Sequence, residues 1–146
     1  MGYYNGKKVL SVVSVVGVNA DELIDGSITE IESNASVIKD YACAFCQLLK
    51  TADLKRATSI GENAFFKSYA LDTLIIRSSS VATLYNIYSL GDTKLANGQG
   101  YIYVPRNLVS QYQNATNWGY YGSRFRPLED YTIDGTTAGD LDPTKI

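Results

Sequence analysis

The sequence predicts an α/β solenoid, and three observations lead there. One apolar pattern occurs twice between Ile38 and Ile76, the second copy at a constant offset from the first, as Ile60 is from Ile38 and Leu71 from Leu49. Short strand-like segments recur at about the same interval around it. The chain then closes in an aromatic-rich block that no longer follows the pattern. A period in the twenties with apolar residues at fixed offsets marks repeated units that shelter their apolar faces only against one another. The terminal units of such an array face water on one side and must be atypical.

The second copy carries Ile60, Gly61, Ala64, Phe65, Ser68, Leu71, Leu74 and Ile76. The first carries Ile38, Ala42, Cys43, Cys46, Leu49, Ala52 and Leu54. Isoleucine, alanine and leucine fall in register, and the other matched places stay small or apolar. At 146 residues and 45% hydrophobic, the chain is large enough to bury one core.

Residues 1–26 read as an N-terminal strand or cap. Lys7-Lys8 before the run Val9–Val18 imitates a secretory signal, but Ser11, Ser14 and Gly17 interrupt the run and valine dominates it. Alternating Val and Ser fits a β-strand instead, with Val9, Val13 and Val15 on one face. The run is too short to span a bilayer. Asn19–Gly26 reads as a helical turn capped by Asp21 and ended by Asp25-Gly26.

Residues 27–128 are expected to form the repeat domain. Strands are predicted at Ser27–Ile31, at Ala52-Asp53-Leu54 and at Leu74-Ile75-Ile76, stacked in parallel. Between them, Ser36–Phe45 and Ser59–Phe66 carry the spacing of a short helix or turn, with Phe45, Phe65 and Phe66 expected to fill the interior. The third unit is degraded: Val81–Leu90 is weakly helical, and Gly91–Gly100 is a turn-rich loop. Tyr101–Val104 is a strand closed by Pro105, and Leu108–Ala115 has helical spacing. Trp118, Tyr121, Phe125 and Leu128 are expected to form an aromatic closing cluster. Residues 129–146, poor in apolar side chains, read as a tail.

Charge and composition exclude several function classes. Charged residues are 19% of the chain with a net charge of -2, so the basic patch that nucleic acid requires is missing. The sequence contains no His, which removes Ser-His and Cys-His nucleophilic catalysis. Asp21 with Asp25, or Glu129 with Asp130, are neighbouring acids that read as solvated surface. Asp134, Asp140 and Asp142 suggest a calcium loop but miss the EF-hand spacing. Cys43-x-x-Cys46 is half of a zinc site or a redox pair at most, and two small interior residues is the plainer reading. No catalytic residue, metal site or cofactor is expected, and the chain does not read as an enzyme.

The repeated units resemble the BspA-like bacterial leucine-rich repeats, whose unit runs roughly I-G-x-x-A-F-x-x-C-x-x-L-x-x-L-x-L. Ile60-Gly61, Ala64-Phe65, Ser68, Leu71, Leu74 and Ile76 follow it closely. The first copy follows it less well, with Lys39 at the Gly place and Cys43 at the Phe place. Tyr101–Pro105, Leu108-Val109, Tyr112 and Ala115–Trp118 are similar to the closing segment of these proteins. The ending from Leu128 through Thr137 to Lys145-Ile146 is similar to repeat proteins encoded by phages and prophages of gut Firmicutes. The resemblance implies a short right-handed leucine-rich-repeat coil with a parallel strand ladder and an atypical C-terminal cap. It also implies a surface or virion-associated binding protein, and brings no catalytic residues.

On such a ladder, alternate strand residues face outward. With Ala52, Leu54, Leu74, Ile76, Ile102 and Val104 inward, the outward set is Asp53, Thr73, Ile75, Arg77, Tyr101 and Tyr103. That exposed face is the expected binding site for a protein or glycan on another surface. Arg77→Ala is accordingly expected to spare folding and weaken binding. The competing expectation is a phage tail or baseplate part, in which the chain assembles as a homo-oligomer. Either reading places the protein outside the cell or on a virion, without membrane insertion.

Overall fold

The structure, a computed structural model, describes residues 2–4, 7–10, 29–133 and 136–137. It is a mixed α/β arrangement dominated by a parallel sheet, with few helices. Strands β1 (Gly2–Tyr4) and β2 (Lys7–Leu10) form an antiparallel hairpin at one end. The sheet then runs in parallel through β3 (Glu30–Ser33), β5 (Thr51–Leu54), β7 (Thr73–Ile76), β9 (Tyr101–Val104) and β10 (Phe125–Pro127). A smaller parallel sheet holds β4 (Val37–Ile38), β6 (Ser59–Ile60) and β8 (Thr83–Leu84).

The repeated sequence dictates this pairing. Thr51 lies opposite Thr73 and Ala52 opposite Leu74, each pair one full repeat apart, so identical places of successive copies become neighbours. One inward column results: Ile31, Ala52, Leu74, Ile102 and Phe125 are register partners in turn and all are buried. Ile38, Ile60 and Leu84 form the matching column of the small sheet. Ala52 is the small member of its column and faces larger neighbours on both sides, which keeps the interior filled without strain.

The turns after the small strands are paired as well. Backbone N–H groups of Tyr41, Cys43 and Phe45 donate to the carbonyls of Glu62, Ala64 and Phe66 in the next unit, at 2.6–2.9 Å. The segments expected as helix or turn are therefore turns. Tyr41 and Asn63 both have left-handed backbone, as do Phe45 and Lys67, so the same two places of each copy are affected. L-residues adopt that region only at a cost of about 1–2 kcal/mol each, so the inter-unit hydrogen bonds must hold them there. Ser68 adds a side-chain stitch: its hydroxyl donates to the Cys43 carbonyl at 2.7 Å and accepts from the Cys46 N–H at 3.2 Å. Gly61 lies so close to the previous unit that a Cβ there would meet the Asp40 nitrogen at 2.7 Å.

The third unit departs by insertion. Leu84 pairs with Ile60 and Tyr101 with Thr73, and both steps along the chain are longer than the regular one from Thr51 to Thr73. Gly100, at φ +79, closes the added loop, where any Cβ would collide with the Asp72 carbonyl. The cap follows with the short helix α1 (Val109–Gln113) and a kinked 3-10 stretch, Trp118–Arg124. Tyr112 stacks on Phe125 at 5.3 Å and meets Trp118 edge-on at 5.4 Å. Their polar tips close the third unit: the Tyr112 hydroxyl accepts from the Ala82 N–H, the Trp118 indole donates to the Ala82 carbonyl, and the Tyr121 hydroxyl donates to the Ile87 carbonyl.

Several expectations change. Of the strand expected at Ser27–Ile31, Ser27 and Ile28 lie outside the described residues; the described strand is Glu30–Ser33, with Ile31 opposite Ala52. Phe45 stands 46% exposed and Phe66 half-buried, since Cys43 and Cys46 take the inward places of that turn. Leu128 leaves the closing cluster and packs on the other side of the sheet with Ile75. Residues 129–131 are not a free tail but continue across that side, and Thr132–Ile133 pairs with Thr136–Thr137. The strand reading of Ser11–Val18, the turn at Asn19–Gly26 and the chain beyond Thr137 lie outside the described residues.

Leu74 and Phe65 are both fully buried in the main core. Leu74→Ala or Phe65→Ala should each lower stability by about 2–5 kcal/mol, read as a shift of the denaturant midpoint. An unchanged midpoint in either variant would place that side chain outside the core.

Candidate functional site

The outward rows of the sheet follow directly from the pairing. Glu32, Asp53, Ile75, Tyr103 and Arg126 succeed one another across the strands, and Glu30, Thr51, Thr73 and Tyr101 make the row beside them. Of the six residues expected to form an exposed binding face, the structure exposes only one end.

Asp53 has 0% exposure, and Ile75 is fully buried. The reason is the C-terminal segment. Leu128 and Tyr131 pack with Tyr103 over Ile75, and the Tyr131 ring lies 4.7 Å from that of Tyr103. Beneath this cover, Asp53 accepts two hydrogen bonds from Arg77, Nη2 to Oδ2 at 2.8 Å and Nε to Oδ1 at 3.0 Å. Lys55, also buried, brings its Nζ to 3.8 Å from the same carboxylate. The Arg77 side chain is only 7% exposed. A carboxylate removed from water needs such charged, bidentate partners, because its desolvation is otherwise uncompensated. Asp53, Ile75 and Arg77 are thus interior residues of a covered face. The expectation that Arg77 lies exposed on a binding face is overturned with them.

Of the other three, Thr73 and Tyr101 lie at the open end and Tyr103 at the border of the cover. Thr73 is half-buried and its hydroxyl donates to Asp72 Oδ1 at 2.9 Å. Tyr101 is 39% exposed and meets Tyr103 edge-on at 6.2 Å. Two arginines absent from the expected set complete the cluster. The Arg126 guanidinium sits 4.5 Å from the Tyr101 ring centroid, and that of Arg124 sits 5.7 Å away. Arg124 is fixed by donating to the Gly98 and Gly100 carbonyls at 2.8 and 3.0 Å. Arg126 is exposed and donates to the Phe125 carbonyl at 2.7 Å. Their signal in the sequence was the alternation Arg124-Phe125-Arg126, an inward aromatic residue with a cation on either side, Arg126 on the strand and Arg124 at the end of the 3-10 stretch before it.

Burial, followed by the nearby charges of Glu30 and Asp53, pushes the Tyr131 hydroxyl up to about 12. Tyr103 is raised as well, first by burial and then by Tyr101. Both phenols are held neutral, which suits aromatic cover over a charged cluster. Cys43 and Cys46 are free and buried. The hydrogen bond between their thiols, then burial, holds Cys43 well above the ordinary thiol range. The same hydrogen bond lowers Cys46, which is itself buried.

Among the described residues no group of three or more Cys, Asp or Glu could hold a metal ion, and no helix is long and apolar enough to cross a membrane. Asp21, Asp25, Asp134, Asp140 and Asp142 lie outside the described residues. No protein-family model, curated protein or solved structure matches the chain.

Arg77→Ala should destabilise the fold by about 3 kcal/mol, because Lys55 alone would be left to face the buried Asp53. A thermal midpoint equal to that of the parent would show Asp53 to be adequately partnered without Arg77. Tyr131 makes a separate prediction at alkaline pH. Its hydroxyl ionises near pH 10 in the unfolded chain and near pH 12 when folded, so between those values the unfolded state holds fewer protons and stability falls as pH rises. Tyr131→Phe should flatten that fall between pH 10 and 12, measured by denaturant titration at each pH. An equally steep fall would mean the phenol is not under cover.

Proposed function

We propose that this chain is a non-enzymatic recognition module, built as a short leucine-rich-repeat coil of the BspA-like kind. In this reading it binds a protein or glycan on another surface through the uncovered end of its sheet face. The observation that carries it is the Tyr101 ring, exposed and flanked by two guanidiniums that the cap strand and the Gly98–Gly100 loop hold in place. Tyr and Arg are the residues most often found at binding hot spots, since each offers rigid area together with a polar reach. Two arginines held against one ring also give a local positive charge on a chain of net charge -2. A partner with carboxylate or sulfate groups at its surface fits that charge. The cover over Asp53 and Ile75 makes this end, and not the middle of the sheet, the contact area.

A second reading is favoured by a different observation. Among the described residues strand β10 is terminal in the sheet order, and no further strand pairs with that edge of the parallel ladder. A virion tail or baseplate part would use such an edge for homo-oligomeric assembly.

Two measurements separate the readings. Light scattering should give a monomer for the recognition module and a trimer or ring for the virion part. On immobilised mucin, Tyr101→Ala combined with Arg126→Ala should reduce retention by about tenfold or more while leaving the thermal midpoint unchanged. Retention equal to the parent would remove the sheet end as the contact area.

A further inference from the structure

On the opposite side from the sheet face, the insertion in the third unit meets the cap and leaves a cleft of about 370 Å³. That volume lies at the small end of ligand clefts, roughly 300–1,000 Å³. Its walls are aromatic: Phe66, Tyr88, Tyr120 and Tyr121 line it, together with the polar side chains of Asp92 and Asn97. Tyr88 and Tyr120 stand 59% and 63% exposed, so their rings are platforms at the rim. Tyr121 is the buried wall, its ring 5.0 Å from that of Tyr120 and its hydroxyl engaged by the Ile87 carbonyl. Gly91 gives the Phe66 ring its place, since a Cβ there would press on that ring at 3.0 Å.

The polar groups are what distinguish this cleft from a patch of loose aromatics. Among the described residues, neither the Asp92 carboxylate nor the Asn97 amide nor the hydroxyls of Tyr88 and Tyr120 have a hydrogen-bond or charge partner. Four groups able to accept or donate thus stand around the rings, of which Phe66 already has the Lys67 ammonium 5.4 Å from its centroid. No Lys or Arg lines the cleft. Asp92 and Asn97 stand exposed at the cleft, so an apolar peptide side chain would leave their hydrogen-bonding capacity unused. An anionic ligand would meet the Asp92 carboxylate unopposed. A ligand with apolar C–H faces and a ring of neutral hydroxyls satisfies both demands at once.

We propose that this cleft is a binding site for a neutral pyranose saccharide, its C–H faces stacked on Tyr88 and Tyr120 and its hydroxyls hydrogen-bonded by Asp92 and Asn97. The assignment rests on the reading of the chain as a recognition module, yet uses no residue of the sheet end. The two surfaces can therefore be separated experimentally.

The probe is a panel of immobilised neutral gluco-, galacto- and manno-oligosaccharides, with sialylated and sulfated chains and a choline conjugate beside them. Neutral chains should retain the protein, and titration of the best of them should move the ring signals of Tyr88 and Tyr120 in NMR spectra. Tyr88→Ala and Tyr120→Ala, at exposed positions, should keep the parent thermal midpoint and each weaken binding about tenfold, the loss of one stacking platform. Asp92→Ala should weaken it comparably. Absence of binding to any neutral chain, or binding that survives Tyr88→Ala with Tyr120→Ala, overturns the site. Binding abolished by Tyr101→Ala instead overturns it too, while leaving the sheet end as the glycan contact. Preference for the choline conjugate would show a cation cage, and that result also rejects the saccharide.

Discussion

Each unit of this chain has its backbone partners in the units before and after it, and that constraint governs the rest. Three separate segments of a unit make such bonds: the ladder strand, the short strand of the small sheet and the turn that follows it. Once all three are in register, equivalent residues must stand on top of one another. The inward column from Ile31 to Phe125 is then a necessity of the pairing, and any residue of the wrong size affects two neighbours. Gly61 and Ser68 show how close the spacing is, one by having no side chain and the other by bonding two backbone groups of the preceding unit, the Cys43 carbonyl and the Cys46 N–H. The left-handed residues Tyr41, Phe45, Asn63 and Lys67 are tolerated on the same account.

The outward face follows a second rule. A flat parallel sheet with an apolar residue such as Ile75 at its centre would leave that residue in water, and here the chain itself covers it with Leu128 and Tyr131. Covering the apolar centre also encloses the neighbours of Ile75, among them Asp53. A buried carboxylate demands cations, and Arg77 and Lys55 lie one step along the following turns, where their side chains can reach back to it. The ion cluster is therefore a consequence of the cover.

The repeat was legible because it is written in side chains that the pairing selects directly. Ile60 and Leu74 predict their neighbours from spacing alone, and Trp118 and Phe125 of the expected closing cluster do meet. The outward face was not legible, because alternation tells which side a residue takes and nothing about what lies on that side. Asp53 and Arg77 look like surface residues in a strand; only the path of Leu128–Tyr131 makes them interior. Phe45 misled for a related reason. Its position beside Cys46 suggests an apolar turn, but a left-handed backbone at Phe45 points the ring outward. The aromatic cleft was hidden in a stretch read only as degraded.

The regular units expose Tyr41, Phe45, Leu48 and Tyr69 at their turns but little along the sheet. Their main-chain groups bond to neighbours, their inward side chains fill the core, and their outward row is closed by the C-terminal segment. Free chemical groups arise where the pattern breaks. The step from Thr73 to its partner Tyr101 is longer than the step from Thr51 to Thr73, and the added residues bring Tyr88, Asp92 and Asn97 out of the pairing. The same insertion supplies the Gly98 and Gly100 carbonyls that hold Arg124 beside Tyr101. The cap contributes Tyr120 on one side and Arg126 on the other. Both candidate surfaces thus depend on one junction, between the expanded third unit and the closing segment that packs on it.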